Sequence, residues 1–87
     1  MNPVFIDVRE PLEYKLGHVK GALNIPPRKL MAGDIGALAD MPKDTPLVLY
    51  CVSGSRSNSS MPYFRQLGYT NLTNGVNKQQ VKAKYGV

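Results

Sequence analysis

The run Pro46-Leu47-Val48-Leu49-Tyr50 constrains the fold more than any other feature of this chain. After its proline it offers no polar residue, so a strand built from it has no wet face. Such a strand belongs inside a sheet, with helices covering both sides. Its neighbours fit that frame. Val4-Phe5-Ile6-Asp7-Val8 is a second short run, mostly β-branched or aromatic, and reads as a buried strand. Pro11 suits the first turn of a short helix, Pro11 to Leu16, stopped by Gly17. Ala22 to Ile25 is a further extended piece, ended by Pro26-Pro27 because proline disfavours helix at the residue before it.

Arg28 to Asp40 reads as helical, with Met31, Ile35 and Leu38 on one face at i, i+4 and i+7. Gly33 and Gly36 weaken that helix and leave open a break into two pieces. Beyond the apolar strand, Cys51-Val52-Ser53-Gly54-Ser55-Arg56 leads into a helix running to Leu67, with Gly68 at the C-cap. Ser57, Ser60, Met61, Phe64 and Leu67 share one face of it. Pro62 lies within it, so the helix either starts effectively near Ser59 or kinks. Asn71-Leu72-Thr73 is a last short strand and Asn77 to Tyr85 a terminal helix.

Strand and helix thus alternate throughout. That pattern predicts an α/β fold: a central, mostly parallel sheet of four to five short strands with helices on both faces. The 87 residues make a single domain, 1–87, since domains typically run roughly 100–150 residues.

No apolar stretch approaches the ~20 residues of a membrane span. The N-terminus has no basic flank and meets Asp7 too early for a signal peptide, so the expected location is cytoplasmic, or periplasmic if a leader was removed. One cysteine excludes an intramolecular disulfide, and one cysteine with one histidine gives no zinc constellation. No cofactor is implied. Every acid lies before position 45, whereas Arg56, Arg65, Lys78, Lys82 and Lys84 follow it. The half containing Cys51 therefore carries the whole positive excess and favours anionic ligands. These cations are scattered singly, without a basic run or an aromatic-interleaved stripe, which argues against nucleic acid.

A lone cysteine is ordinarily a small buried hydrophobe. Here it ends the best strand at the start of a helix, where ligands bind in open α/β sheets. Val52, Ser53, Gly54 and Ser55 can curl so that backbone N–H groups face the sulfur, with Gly54 supplying a left-handed conformation. The helix dipole and Arg56 add positive character. All of these favour thiolate over thiol, and an ordinary thiol is only a few per cent ionised at neutral pH.

Three segments carry a resemblance. Asp7-Val8-Arg9-Glu10-Pro11-Leu12-Glu13-Tyr14 with Gly17-His18-Val19-Lys20-Gly21-Ala22-Leu23-Asn24-Ile25-Pro26 resembles the N-terminal signature of the rhodanese family. Cys51-Val52-Ser53-Gly54-Ser55-Arg56-Ser57 is similar to its active-site loop, and Gly68-Tyr69-Thr70-Asn71-Leu72 to its glycine-aromatic segment. Size and layout are most similar to the small phage-shock-type single-domain members. The resemblance implies a thiosulfate sulfurtransferase of rhodanese fold with Cys51 as the catalytic persulfide carrier. Val52, Ser53, Gly54, Ser55 and Arg56 would form the anion cradle. The donor would be thiosulfate or another sulfane-sulfur compound, and the acceptor an external thiol, a protein thiol included, or cyanide. Asp7, Arg9 and Glu13 are expected to form a structural polar cluster, and His18 and Asn24 to serve as structural hydrogen-bonding residues. The chain lacks the family's glycine pair followed by tryptophan near the C-terminus; only Gly75 remains.

Two other functions compete. A cysteine phosphatase also sets a thiolate in an amide cradle with an arginine, but Ser57 stands where such sites place it, and Arg56 comes one position earlier. A non-catalytic binding module would have no need of both Cys51 and Arg56.

Overall fold

The computed structural model describes residues 2–87. Four strands, β1 (Val4–Asp7), β2 (Leu23–Asn24), β3 (Leu47–Cys51) and β4 (Leu72–Asn77), form one parallel sheet in the order β2-β1-β3-β4. The strand without a polar face is interior, and all five of its residues are buried. Side chains alternate across it as the pleat requires. Leu47, Leu49 and Cys51 enter one core with Ile6, Val8, Leu30, Leu38 and Phe64, while Val48 and Tyr50 enter the other with Phe5, Val19 and Val81. Each fully buried aliphatic side chain contributes about 1.5–3 kcal/mol.

Helices α1 (Pro11–Leu16), α2 (Pro27–Met31), α3 (Ser55–Gln66) and α4 (Lys78–Tyr85) connect and cover the strands. Leu30 of α2 and Phe64 of α3 pack into the first core, whereas Val81 of α4 and Tyr14 of α1 pack on the second. Helices therefore cover both faces, as the alternation predicts.

Several boundaries differ from the sequence reading. The extended piece expected over Ala22 to Ile25 pairs only through Leu23 and Asn24. The helix expected over Arg28 to Asp40 is split: α2 ends at Met31, Gly33 turns left-handed, and a separate 3-10 turn covers Gly36–Asp40. The break shifts the helical face, so Leu30 is buried and Met31 is 65% exposed. By contrast α3 starts at Ser55, before Ser59, and continues through Pro62. The Ser60 hydroxyl donates to the Arg56 carbonyl at 2.7 Å within that helix. Gly68 follows with φ +99, the left-handed residue just past the helix end.

The last strand is longer than Asn71 to Thr73 and carries a bulge. Leu49 pairs with Asn74 but Tyr50 pairs with Val76, so Gly75 is the extra residue. A side chain at Gly75 would meet Val81 at 2.6 Å and Val48 at 2.9 Å, which explains the glycine by close packing. The left-handed backbone belongs instead to Val76, at φ 73. A β-branched residue there costs on the order of 1–3 kcal/mol and persists only where its surroundings hold it.

Candidate active site

Parallel strands bring the C-terminal ends of β1 and β3 side by side, with Asp7 opposite Tyr50 and Cys51 one step beyond. Two polar constructions grow from this edge. The first is internal. The Arg9 guanidinium forks onto the fully buried Asp7 carboxylate at 2.8–3.1 Å and also donates to the Gly17 carbonyl. The Tyr50 hydroxyl donates to Asp7 Oδ2 at 2.9 Å and accepts from the Val19 N–H at 3.0 Å. Hydrogen bonding to Asp7 raises the Arg9 pKa further, and burial pushes the Tyr50 hydroxyl up. Asn24 Nδ2 donates to the carbonyls of Asp7 and Arg9, locking the same turn. His18 stacks on Tyr14 at 3.7 Å between ring centroids, and its Nδ1 lies 2.8 Å from the Tyr14 carbonyl. Asp7, Arg9, Asn24 and His18 thus all find hydrogen-bond partners within the chain, the kind of contact expected of them from the sequence.

The second construction surrounds the thiol. Cys51 is 2% exposed, and its Sγ accepts the Gly54 N–H at 3.1 Å. Gly54 is left-handed at φ 90, the conformation that turns its amide back toward the sulfur at the start of α3. One helical turn on, the buried Ser57 hydroxyl lies 3.6 Å from Sγ. Burial alone would raise the Cys51 pKa. The Ser57 N–H and hydroxyl and the Ser53 and Gly54 amides outweigh it and bring the thiol down to about 7. These donors favour the thiolate over the thiol at neutral pH.

Arg56 also has a protein partner that the sequence did not indicate. Its guanidinium binds both oxygens of Glu13, at 2.8 and 3.2 Å, so Glu13 leaves the Asp7–Arg9 cluster and ties α1 to α3. The Arg56 hydrogen bond holds the Glu13 carboxyl well below its usual range, at about 2. Arg56 still feels the Cys51 charge, which adds to the upward shift of its own pKa that begins with Glu13. Of the other loop residues, Val52 and Ser53 are exposed, and the Ser55 N–H donates to the Ser53 hydroxyl at 3.4 Å.

Sequence reasoning left out two residues. Ser57 lies on a helix face with Ser60, Met61, Phe64 and Leu67, where a polar residue beside apolar ones is a usable signal. Asn74 gave none. From β4 its Nδ2 donates to the Gly54 carbonyl at 3.0 Å, and its Oδ1 accepts from the Ser57 hydroxyl at 2.7 Å and the Val76 N–H at 3.0 Å. The last bond ties the left-handed Val76 to the Asn74 side chain.

The interior strand β3 of a parallel α/β sheet thus ends in a buried cysteine whose sulfur accepts the Gly54 amide and lies beside the Ser57 hydroxyl. The chain belongs to the rhodanese-like domain family, whose profile matches residues 1–80. It is 37% identical to the thiosulfate sulfurtransferase GlpE of Pseudomonas paraeruginosa, over 77% of this chain and 57% of that protein. It is 35% identical to the thiosulfate sulfurtransferase PspE of Escherichia coli, over 83% of this chain and 72% of that protein. The chain therefore spans little more than half the length of the first of these relatives. Among solved structures, a rhodanese from E. coli superposes with a TM-score of 0.76 at 29% identity, covering 91% of each chain. A human single-domain sulfurtransferase superposes at 0.72 and 28% identity, covering 92% of this chain and 81% of its own. Among the described residues no helix is long and apolar enough to cross a membrane.

Proposed function

We propose that the chain is a thiosulfate sulfurtransferase that carries sulfur as a persulfide on Cys51. The observation that carries this reading is the donor set on one sulfur: the Gly54 amide at 3.1 Å and the Ser57 hydroxyl at 3.6 Å on a thiol lowered to about 7. The names of the relatives, both thiosulfate sulfurtransferases, support the same reaction class.

The Cys51 thiolate attacks the outer sulfur of thiosulfate. A new S–S bond forms, the bond to the sulfonate sulfur breaks, and sulfite leaves with the electron pair. The terminal persulfide sulfur is anionic and rests against the amides of the loop Val52 to Arg56, donors fixed before the charge arrives. An acceptor thiolate, or cyanide, then attacks that terminal sulfur. The S–S bond to Cys51 breaks and the thiolate returns. Cys51 is the only cysteine in the sequence, so the accepting thiol comes from outside this domain. Arg56 anchors the loop to α1 through Glu13 and keeps positive charge close to the sulfur.

Intact mass after incubation with thiosulfate tests the reading. A gain of one sulfur atom, removed by cyanide and absent in Cys51→Ser, is the expected result. An unchanged mass at saturating thiosulfate would overturn thiosulfate as donor, and the same null result with persulfidated thiols would overturn the persulfide.

A further inference from the structure

The Ser57 hydroxyl owns a single hydrogen yet has three acceptors in reach: Asn74 Oδ1 at 2.7 Å, the Gly54 carbonyl at 3.1 Å and Cys51 Sγ at 3.6 Å. Ser57 is fully buried, so no bulk water settles the competition. Asn74 Oδ1 also accepts the Val76 N–H at 3.0 Å, so it is still partnered if Ser57 turns away. Asn74 Nδ2 holds the Gly54 carbonyl at 3.0 Å, which partly satisfies that rival acceptor. The bulge at Gly75 and the strained Val76 aim the Asn74 side chain at the loop. A costly backbone feature beside a reactive group points to a task.

We propose that Asn74 is a positioning residue for Cys51, acting through Ser57 as a hydrogen-bond switch. In the thiol state the Cys51 S–H donates to Ser57 Oγ, and the Ser57 O–H donates to Asn74 Oδ1. On ionisation the thiol proton leaves for solvent. The Ser57 hydrogen then rotates onto the thiolate, and Asn74 keeps its bond from Val76. The strength of Asn74 as an acceptor therefore sets how readily the thiolate forms. The inference rests on the sulfur-transfer reading only for what the thiolate is used for.

The charged groups around the loop are few. Arg56 on α3 is paired with Glu13 on α1. Lys78, at the start of α4, places its ammonium beside Gly17. The Asp7–Arg9 pair belongs with Tyr50, which enters the opposite core from Cys51. None of these groups is a hydrogen-bond partner of Asn74.

Asn74→Asp keeps the size and the oxygen that accepts from Ser57 and Val76 but makes it anionic, so it holds the Ser57 hydrogen harder, and it replaces the Nδ2 donor to the Gly54 carbonyl with an oxygen. The midpoint of Cys51 alkylation against pH should rise by about one unit, a tenfold loss of thiolate below it. In a Ser57→Ala background the substitution still brings its charge and still loses the Gly54 bond but has no hydroxyl to hold, so its shift should be clearly smaller than in the unaltered background. Equal shifts in both backgrounds, or no shift at all, would remove the switch. Should Asn74→Asp fail to fold, the unaltered protein decides. Its Asn74 side-chain amide resonances should titrate with the alkylation midpoint of Cys51, and this titration should vanish in Ser57→Ala. A flat titration, or one that persists without the Ser57 hydroxyl, would overturn the proposal. Neither readout needs thiosulfate, so failure to load sulfur would sink the proposed activity and leave this inference standing.

Discussion

Asp7 and Cys51 end neighbouring parallel strands, yet the polar groups around them are spent differently. Around Asp7 each strong donor already has a protein acceptor: the Arg9 fork, the Tyr50 hydroxyl and the Asn24 amide all close on groups of the chain itself. Around Cys51 the donors converge on one small sulfur that can gain or lose a substituent. The two arginines repeat the contrast. Arg9 and Asp7 are 11% and 0% exposed, whereas Arg56 and Glu13 are 37% and 34% exposed and flank the loop. Saturated polar clusters hold a turn in place. A cluster that converges on one reactive atom leaves chemistry to be done.

Breaking this contrast should show first at the sulfur. Cys51→Ser should lower thiocyanate formation from thiosulfate and cyanide by at least about 10³-fold, as expected for loss of a nucleophile. Its circular dichroism spectrum and melting curve should stay close to those of the unaltered protein. Residual turnover of a few per cent would mean another group carries the sulfur. Asp7→Ala should do the reverse and act on the fold. It leaves the Arg9 charge without its buried partner, a loss of about 3–5 kcal/mol in urea unfolding. A loss below about 1 kcal/mol would show that solvent reaches Arg9 and that the cluster is not closed.

Tyr50→Phe is a milder version of the same break. It strands the buried Val19 N–H and removes one donor from Asp7, and should cost about 1–3 kcal/mol with Cys51 alkylation unchanged. A moved alkylation midpoint would mean that the two regions are electrostatically joined. At Cys51 itself, alkylation should follow a midpoint near 7. Because the folded value is depressed, the thiolate's contribution to stability is complete above the unfolded thiol value of about 8.5 and fades as pH falls through about 7. A midpoint at or above 8.5 would describe an inert, buried thiol.

The smallest effect should come from Glu13→Gln. The pair it breaks is about one-third exposed, and such pairs contribute about 0–1 kcal/mol. Sulfur transfer should change only a few-fold, through a looser loop. Unchanged stability together with a large loss of sulfur loading would mean that Glu13 sets the position of Arg56 for an incoming anion.

Much of this molecule was legible from residue order, because the signals concerned are local. An apolar run with no wet face must lie inside a sheet, so Leu47 to Tyr50 could be placed before any coordinates. Cys51 at its end, Gly54 in the turn after it and Gly68 past α3 follow from strand termini and left-handed backbone, which depend on neighbours in sequence. The split of Arg28 to Asp40 was only half readable: the glycines mark weakness, but burial of Leu30 in place of Met31 depends on what α2 packs against. The partner of Arg56 was not readable at all, since Glu13 lies 43 positions away and reaches it only because β1 and β3 pair in parallel. Asn74 was hidden for the same reason. Its register opposite Leu49, and the bulge at Gly75 that follows, exist only once β4 has paired with β3. Local chemistry thus determined the central strand, its turns and the place of Cys51 at the strand's end. The choice of groups that tune that thiol waited for strand pairing, because hydrogen bonds between distant residues have no signature in either residue alone.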